Sequence, residues 1–280
     1  MPSYSVPLRD MKFVYNELFD PTDISALPGF EDATEDLINP ILEEAARLAE
    51  NELFPLNTTG DLEGCQFDNG HVTTPQGFID AYKQYAEGGW VGLPCDPKYG
   101  GQGIPAAVNV LMEEMACSAN VSFATYVGLT RGAYRAVNTF ASDDLKNQFL
   151  PKMVSGEWSG TMCLTEPQCG TDLGLIKTKA ALQSDGTYTL SGTKIFITAG
   201  EHDLTQNIIH LVLARLPDAP NGIKGISLFL VPKFLPDNAG NPSTRNSIYC
   251  ARIENKMGIK ASATCEMNLD DATGWLIGEP

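Results

Sequence analysis

Between residues 37 and 54, apolar side chains recur at Leu37, Ile41, Ala45, Leu48 and Leu53 with charge on the opposite side. That spacing predicts an amphipathic helix, bent or begun at Pro40. The stretch TPQGFIDAYKQYAEGG predicts a second helix, with Thr74 as N-cap, Pro75 at its first position and Gly88-Gly89 as its stop. Residues 104–140, rich in Ala, Met and Leu, read as two long helices separated near Asn120. SDDLKNQFLPKMVSG adds another, capped by Ser142 and ended by Gly156. Ahead of these, residues 1–30 show weak periodicity and are expected to form an irregular extension with room for one short helix.

After about residue 160 the pattern shortens to β-branched and aromatic runs: IKTKAALQ, TYTLSG, KIFIT, IIHLVLARL, GISLFLVP and SIYCARIE. Ser184-Asp185-Gly186 and Pro220-Asn221-Gly222 supply turns between them. An antiparallel β-domain of six to eight strands follows, closed as a barrel or packed as a sandwich. The chain stops at GWLIGEP, directly after what reads as the last strand. A natural domain seldom ends there, and in a truncated protein the segment covering the β-domain would be the missing one.

Composition narrows the function classes. The 280 residues are 43% hydrophobic and 19% charged, enough for two soluble domains. Thirty-five acidic against nineteen basic residues give a formal charge of -16, which repels nucleic-acid phosphates and anionic headgroups. Nucleic-acid and membrane partners are therefore not expected. Cys65, Cys95, Cys117, Cys163, Cys169, Cys250 and Cys265 are scattered without a C-x-x-C spacing, so neither a disulfide framework nor a zinc site is predicted. Arg9, Asp10, Lys12 and Glu17 stand where a signal peptide would need an apolar run, and no stretch reaches the ~18 apolar residues of a membrane span. A reduced, cytoplasmic setting fits best.

Few residues announce catalysis. GQGIPA at 101–106 matches a dinucleotide-binding pattern in letters only, because no strand precedes it; it reads as a loop between helices. His71, His202 and His210 are far apart, without a Ser, Cys or metal-ligand partner at a telling spacing, and read as surface or core. MCLTEPQCGTDLG at 162–174 is a polar, bent loop. Thr165 brings a hydroxyl, Pro167 extends Glu166 so that loop amides point outward, and Gly170 permits a close approach or a positive φ. Thr171 and Asp172 can cap the turn or contact what approaches. The same letters would serve to turn the chain from helix to strand. A second segment shifts the balance: TKIFITAG ends in Thr198, with Phe196 two residues earlier on the same strand face. The loop's outward amides and the Thr165 hydroxyl suit a flat heterocycle with carbonyl and imide groups, and the aromatic platform with the Thr198 hydroxyl could meet the same ring from its other side.

Taken in order, MCLTEPQCGTD, YTLSGTKIFITAG and KMGIKASATCEMNLDDATGWLIGEP resemble the acyl-CoA dehydrogenase family over nearly the whole chain. The opening YSVPLRDMKFVYNELF is similar to the extension of a larger-subunit branch that includes 3-methylmercaptopropionyl-CoA dehydrogenases. The resemblance implies an α+β fold: an N-terminal extension (1–30), a helical N-terminal domain (31–159) and an antiparallel β-barrel middle domain (160–280), with the family's C-terminal helical bundle absent. It also implies FAD as cofactor, with Met162, Leu164 and Thr165 at the isoalloxazine edge and Phe196 and Thr198 facing the same ring. Gly170 and Thr171 would meet the acyl-CoA substrate. Thr171 stands where the family usually has Ser, and Phe196 where many members have Trp.

The implied reaction, in fatty acid metabolism, is α,β-dehydrogenation of an acyl-CoA thioester to the trans-2-enoyl-CoA. A carboxylate base takes the α-proton, a hydride moves to the flavin, and hydrogen bonds to the thioester carbonyl meet the developing charge. The base is expected to be a Glu beyond residue 280, not Glu166, whose Glu-Pro context looks structural. Lys256, Lys260 and Arg245 are the basic residues nearest by sequence for holding anionic CoA. The full-length protein would be a homodimer or homotetramer passing electrons to an electron-transfer flavoprotein. An acyl-CoA oxidase and a non-catalytic assembly module derived from the fold are the competing readings.

Overall fold

The computed structural model describes residues 3–18 and 21–280; residues 1, 2, 19 and 20 of the expected extension lie outside them. Amphipathic helices build the first half. Helices α1 (Leu8–Phe13) and α2 (Pro21–Ser25) lie in the expected extension, whose described residues hold two short helices rather than one, with a π-helical turn (Val14–Leu18) after the first. Helix α3 (Glu35–Leu48) accommodates Pro40 inside its first turns and buries Ile38, Leu42, Ala45 and Ala46 on one face. A π-helical turn (Ala49–Leu53) leads into α4 (Pro55–Glu63).

The helical half also contains a hairpin, β1 (Gln66–Asp68) and β2 (His71–Thr73), turned at Asn69 and Gly70 with φ of 47° and 85°. Positive φ at both central residues is what Asn-Gly supplies.

Helix α5 (Phe78–Glu87) starts three residues later than Thr74 and Pro75 suggest. Its N-cap is Gly77, in the left-handed region at φ 88°. Thr74 is drawn elsewhere: its N–H and hydroxyl both donate to Asp203 Oδ1, at 3.1 and 2.7 Å. Residues 101–105 are a loop and Ala106 opens the next helix; Gly101 is there for space, since a Cβ would lie 2.1 Å from the Cys95 carbonyl oxygen. Helix α6 (Ala106–Phe140) breaks at Asn120, where φ is -158°. The Asn120 side chain caps the second half by accepting from Phe123 N–H and donates to Leu53 O. Ser142 caps α7 (Asp143–Val154) as expected, accepting from Leu145 N–H.

The sheet runs through β3 (Trp158–Cys163), β4 (Lys179–Leu182), β5 (Tyr188–Thr198), β6 (Asn207–Ala214) and β7 (Ser227–Pro232). A small pair, β8 (Phe234–Pro236) and β9 (Pro242–Arg245), precedes β10 (Ile248–Ile253) and β11 (Thr264–Ile277). The last strand takes in Gly274–Ile277, and TYTLSG and KIFIT are one continuous strand. The main order is β3-β6-β7-β11-β5-β4, with β10 on β11. A bridge between Lys179 and Arg215 brings β4 back to the end of β6 and curls the sheet into a barrel. The expectation of a wholly antiparallel domain needs correction: β3 pairs parallel with β6. One apolar core lies among the helices and one inside the barrel. A third, centred on Phe149, Trp158 and Leu230, welds α7 to the sheet. No helix among the described residues is long and apolar enough to cross a membrane.

Candidate functional site

Strand β3 ends at fully buried Cys163, and the next three residues are fastened to β5. Leu164 O accepts from Lys194 Nζ (3.1 Å), and Thr165 O accepts from Ile195 N–H (2.8 Å). Glu166 is tied by its carboxylate. Because a trans peptide points its C=O and N–H in opposite directions, anchoring Leu164 O on buried Lys194 turns the Thr165 N–H the other way. That N–H and the Thr165 hydroxyl have no protein partner among the described residues. Gly170 is not in the left-handed region, so close approach and not backbone twist is the use left for it. A Cβ there would stand 3.4 Å from Thr165 Cγ2, and its absence leaves the space beside the hydroxyl clear.

Glu166 is 3% exposed and Lys194 is 0% exposed, so neither carboxylate nor ammonium is hydrated. Glu166 Oε1 accepts from Lys194 Nζ (2.8 Å), Thr178 N–H (3.0 Å) and Thr178 Oγ1 (2.6 Å). Its Oε2 accepts from Lys177 N–H (2.7 Å) and Gln168 Nε2 (2.5 Å). Burial alone would raise this carboxyl, but the bonds from Lys194, Thr178 and Lys177 outweigh it and hold Glu166 at about 2. A carboxylate so stabilised is a poor proton acceptor, which agrees with reading it as structural. Lower in the loop, Asp172 caps the turn Leu173–Leu175 by accepting from Gly174 N–H, while Thr171 stays exposed.

The second segment lies against the first. Thr161 Oγ1 donates to Thr198 O at 2.5 Å, and the Thr198 hydroxyl, like that of Thr165, has no protein partner among the described residues. Phe196 is reached by a different route from simple alternation. Two residues of β5 oppose one of β11 where the register slips between Cys265 and Met267, and Phe196 adopts φ 59° in that bulge. Bulges re-aim side chains: Lys194 and Ile197 point into the core, and Phe196 stands 59% exposed. Met162, Leu164 and Thr198 are half-buried. The structure thus gathers Met162, Leu164, Thr165, Phe196 and Thr198 on two hydrogen-bonded segments, with Gly170 beside Thr165.

A separate polar cluster was not visible in the sequence. Ser159 Oγ lies 2.9 Å from His202 Nε2, although 43 positions separate them. Their roles follow from the bonds around them. His202 Nδ1 accepts from Leu204 N–H (3.2 Å), so Nε2 carries the proton and donates to Ser159. Ser159 can then donate to Thr205 Oγ1 (3.1 Å), which donates to Asn207 O (2.9 Å). A histidine that donates to the serine cannot take its proton. Burial pushes His202 down to about 3, with Lys233 adding to the effect, and the pair is neutral and closed to solvent.

The basic candidates divide. Arg245 is engaged with Glu201 (3.6 Å), which also binds Lys233, and Lys256 Nζ donates to Ser262 O (2.6 Å). Lys194 and Thr178 are site residues that sequence reasoning missed. Alternation along β5 offered a signal for Lys194, which shares inward parity with Leu190 yet is charged.

The family models for "Acyl-CoA dehydrogenase, N-terminal domain" and "Acyl-CoA dehydrogenase, middle domain" match residues 38–157 and 161–272. The 3-methylmercaptopropionyl-CoA dehydrogenase of Ruegeria pomeroyi is 45% identical over 277 residues, 99% of this chain and 47% of that protein. The chain spans about half the length of the curated relatives it matches. Among solved structures, butyryl-CoA dehydrogenase from Megasphaera elsdenii is similar with a TM-score of 0.70 at 28% identity, covering 88% of this chain and 59% of that one. The acyl-CoA dehydrogenase of Bacillus anthracis, solved with FAD, gives 0.70 at 27% identity over 89% of this chain and 38% of that one.

Proposed function

Because the chain belongs to the acyl-CoA dehydrogenase family, carrying its N-terminal and middle domains, we propose that it serves the FAD-dependent α,β-dehydrogenation of an acyl-CoA thioester. The observation that carries this reading is a pair of hydroxyls without protein partners among the described residues, Thr165 and Thr198, on segments bonded to each other, one of which also carries exposed Phe196. Buried polar groups find partners inside a protein; these two are left free on a surface that also offers the Thr165 N–H and an aromatic ring.

The residues present fit the cofactor. Met162, Leu164 and Thr165 would hold one edge of the flavin through main-chain groups and the Thr165 hydroxyl, and Phe196 and Thr198 would face the same ring. Bound there, FAD supplies the hydride acceptor for the substrate β-carbon. Gly170, by its missing side chain, and exposed Thr171 would leave room for and contact the thioester. Glu166 does no proton transfer, since both its oxygens are engaged and its proton affinity is low. The α-proton is therefore proposed to go to a carboxylate outside these 280 residues, and the isolated chain is expected to show no acyl-CoA-dependent dye reduction. Turnover by the purified chain would refute that assignment.

The same reading makes the whole protein a cytoplasmic homo-oligomer that passes electrons to an electron-transfer flavoprotein. Seven free cysteines support a reducing compartment, and peroxide formation in place of transfer to that acceptor would favour an oxidase. Titrating FAD with the chain tests the site itself: flavin fluorescence should be quenched on binding, and Thr165→Val should weaken binding roughly tenfold, about 1.4 kcal/mol. Equal affinity of wild type and variant would remove Thr165 from the site.

A further inference from the structure

We propose that Lys194 and Glu166 act as a positioning pair, holding the Leu164–Thr165 peptide so that the Thr165 N–H and hydroxyl face the flavin. The inference rests on the FAD reading above and adds the residues that set the geometry of its binding edge. Three consecutive residues are fixed from one side: Leu164 through its carbonyl on Lys194, Thr165 through its carbonyl on Ile195, and Glu166 through its carboxylate. Lys194 Nζ touches the first and third at once, at 3.1 and 2.8 Å, so one ammonium determines how the peptide between them is turned.

The pair is braced from behind. Fully buried Thr178 donates twice to Glu166, through N–H and Oγ1, and Arg215 ties the far end of the loop by donating to Ile176 O (2.9 Å) and Gly174 O (2.7 Å). A general structural salt bridge would not need its cation on the carbonyl beside the ligand-facing amide. Two charges taken wholly out of water are a poor source of stability compared with apolar packing, so geometry is the more economical reason for their presence.

The test uses the 280-residue chain with FAD, comparing wild type, Thr178→Val, Glu166→Gln and, as a control, Ser159→Ala in the closed cluster. Thr178→Val removes one hydroxyl from Glu166 and keeps side-chain shape, so it remains informative where Glu166→Gln fails to fold. The expected result is FAD binding weakened about three- to tenfold in Thr178→Val, with a shifted visible absorption band of the bound flavin. Ser159→Ala should lose at least as much thermal stability and leave both affinity and spectrum unchanged. If Thr178→Val binds FAD with wild-type affinity and spectrum, or if Ser159→Ala weakens binding equally, the pair is structural only and the inference fails. Absence of binding by the wild-type chain would overturn the FAD reading and the inference together.

Discussion

Two polar constellations flank strand β3, and they differ in how their hydrogen bonds end. At its start, Ser159, His202 and Thr205 pass donors in sequence to the carbonyl of Asn207, and nothing is left over. Past its end, Thr165 and Thr198 are held by their backbones while their hydroxyls have no protein partner among the described residues, and Phe196 is exposed on the same strand as Thr198. The first looks more like catalytic machinery by residue type, since it contains a Ser-His contact. The second has the better claim, because residual hydrogen-bonding capacity on an accessible surface is what a ligand can use. Residue identity proposes chemistry; the balance of donors and acceptors decides it.

Substitutions should separate the two regions by size of effect. The largest belongs to the anchor beneath the open site: Lys194→Met leaves the Glu166 carboxylate buried without its cation, and should cost about 3–5 kcal/mol in urea unfolding. An unchanged unfolding midpoint would mean that the ion pair in the structure does not form. In the closed cluster, Ser159→Ala strands the His202 Nε2–H and should cost about 1–3 kcal/mol, with FAD affinity intact.

The closed cluster should also respond to acid before the open site does. Burial depresses His202 to about 3, from a usual value of 6.5, and drives His210 well below that value too. A histidine held neutral in the fold contributes stability above the unfolded value, and that contribution is lost as pH falls from 6.5 toward the folded one. Each such histidine should give a slope of about 1.4 kcal/mol per pH unit below 6.5. Glu166 acts lower, its contribution being present above 4.5 and lost as pH falls toward about 2. Stability that stays flat between pH 7 and 5 would contradict the buried, neutral histidines. The smallest effect is expected at the open hydroxyls: Thr165→Val and Thr198→Val should change stability by less than about 0.5 kcal/mol, because no protein bond is lost.

Local signals carried much of this fold. The Ser142 cap, the break at Asn120 and the turn at Ser184-Asp185-Gly186 depend on neighbours in sequence, and each formed as the letters suggested, whereas the face of α3 is rotated from the expected one: Leu37 is exposed and Ile38 and Leu42 are buried instead. Thr74 is not the cap: its hydroxyl is oriented toward Asp203, 129 positions away, and Gly77 takes the N-cap position, a long-range arrangement to which local reasoning has no access. The parallel pairing of β3 with β6 is likewise a long-range choice. The Asn69-Gly70 hairpin was legible and was overlooked inside a helical half. In the site, the threonine-bearing segments could be read from sequence, but the bulge that turns Phe196 outward could not, since it arises from register against β11. Lys194 left a trace as a charge at an inward strand position; the contact between Ser159 and His202 left none.

The most direct test of the account is amide hydrogen exchange on the chain with and without saturating FAD. Protection should appear at residues 162–171 and 193–199 and be absent at Ser159 and residues 202–207. Protection confined to the closed cluster, or no change at Thr165, would contradict the claim that the unpaired hydroxyl site is where the flavin sits.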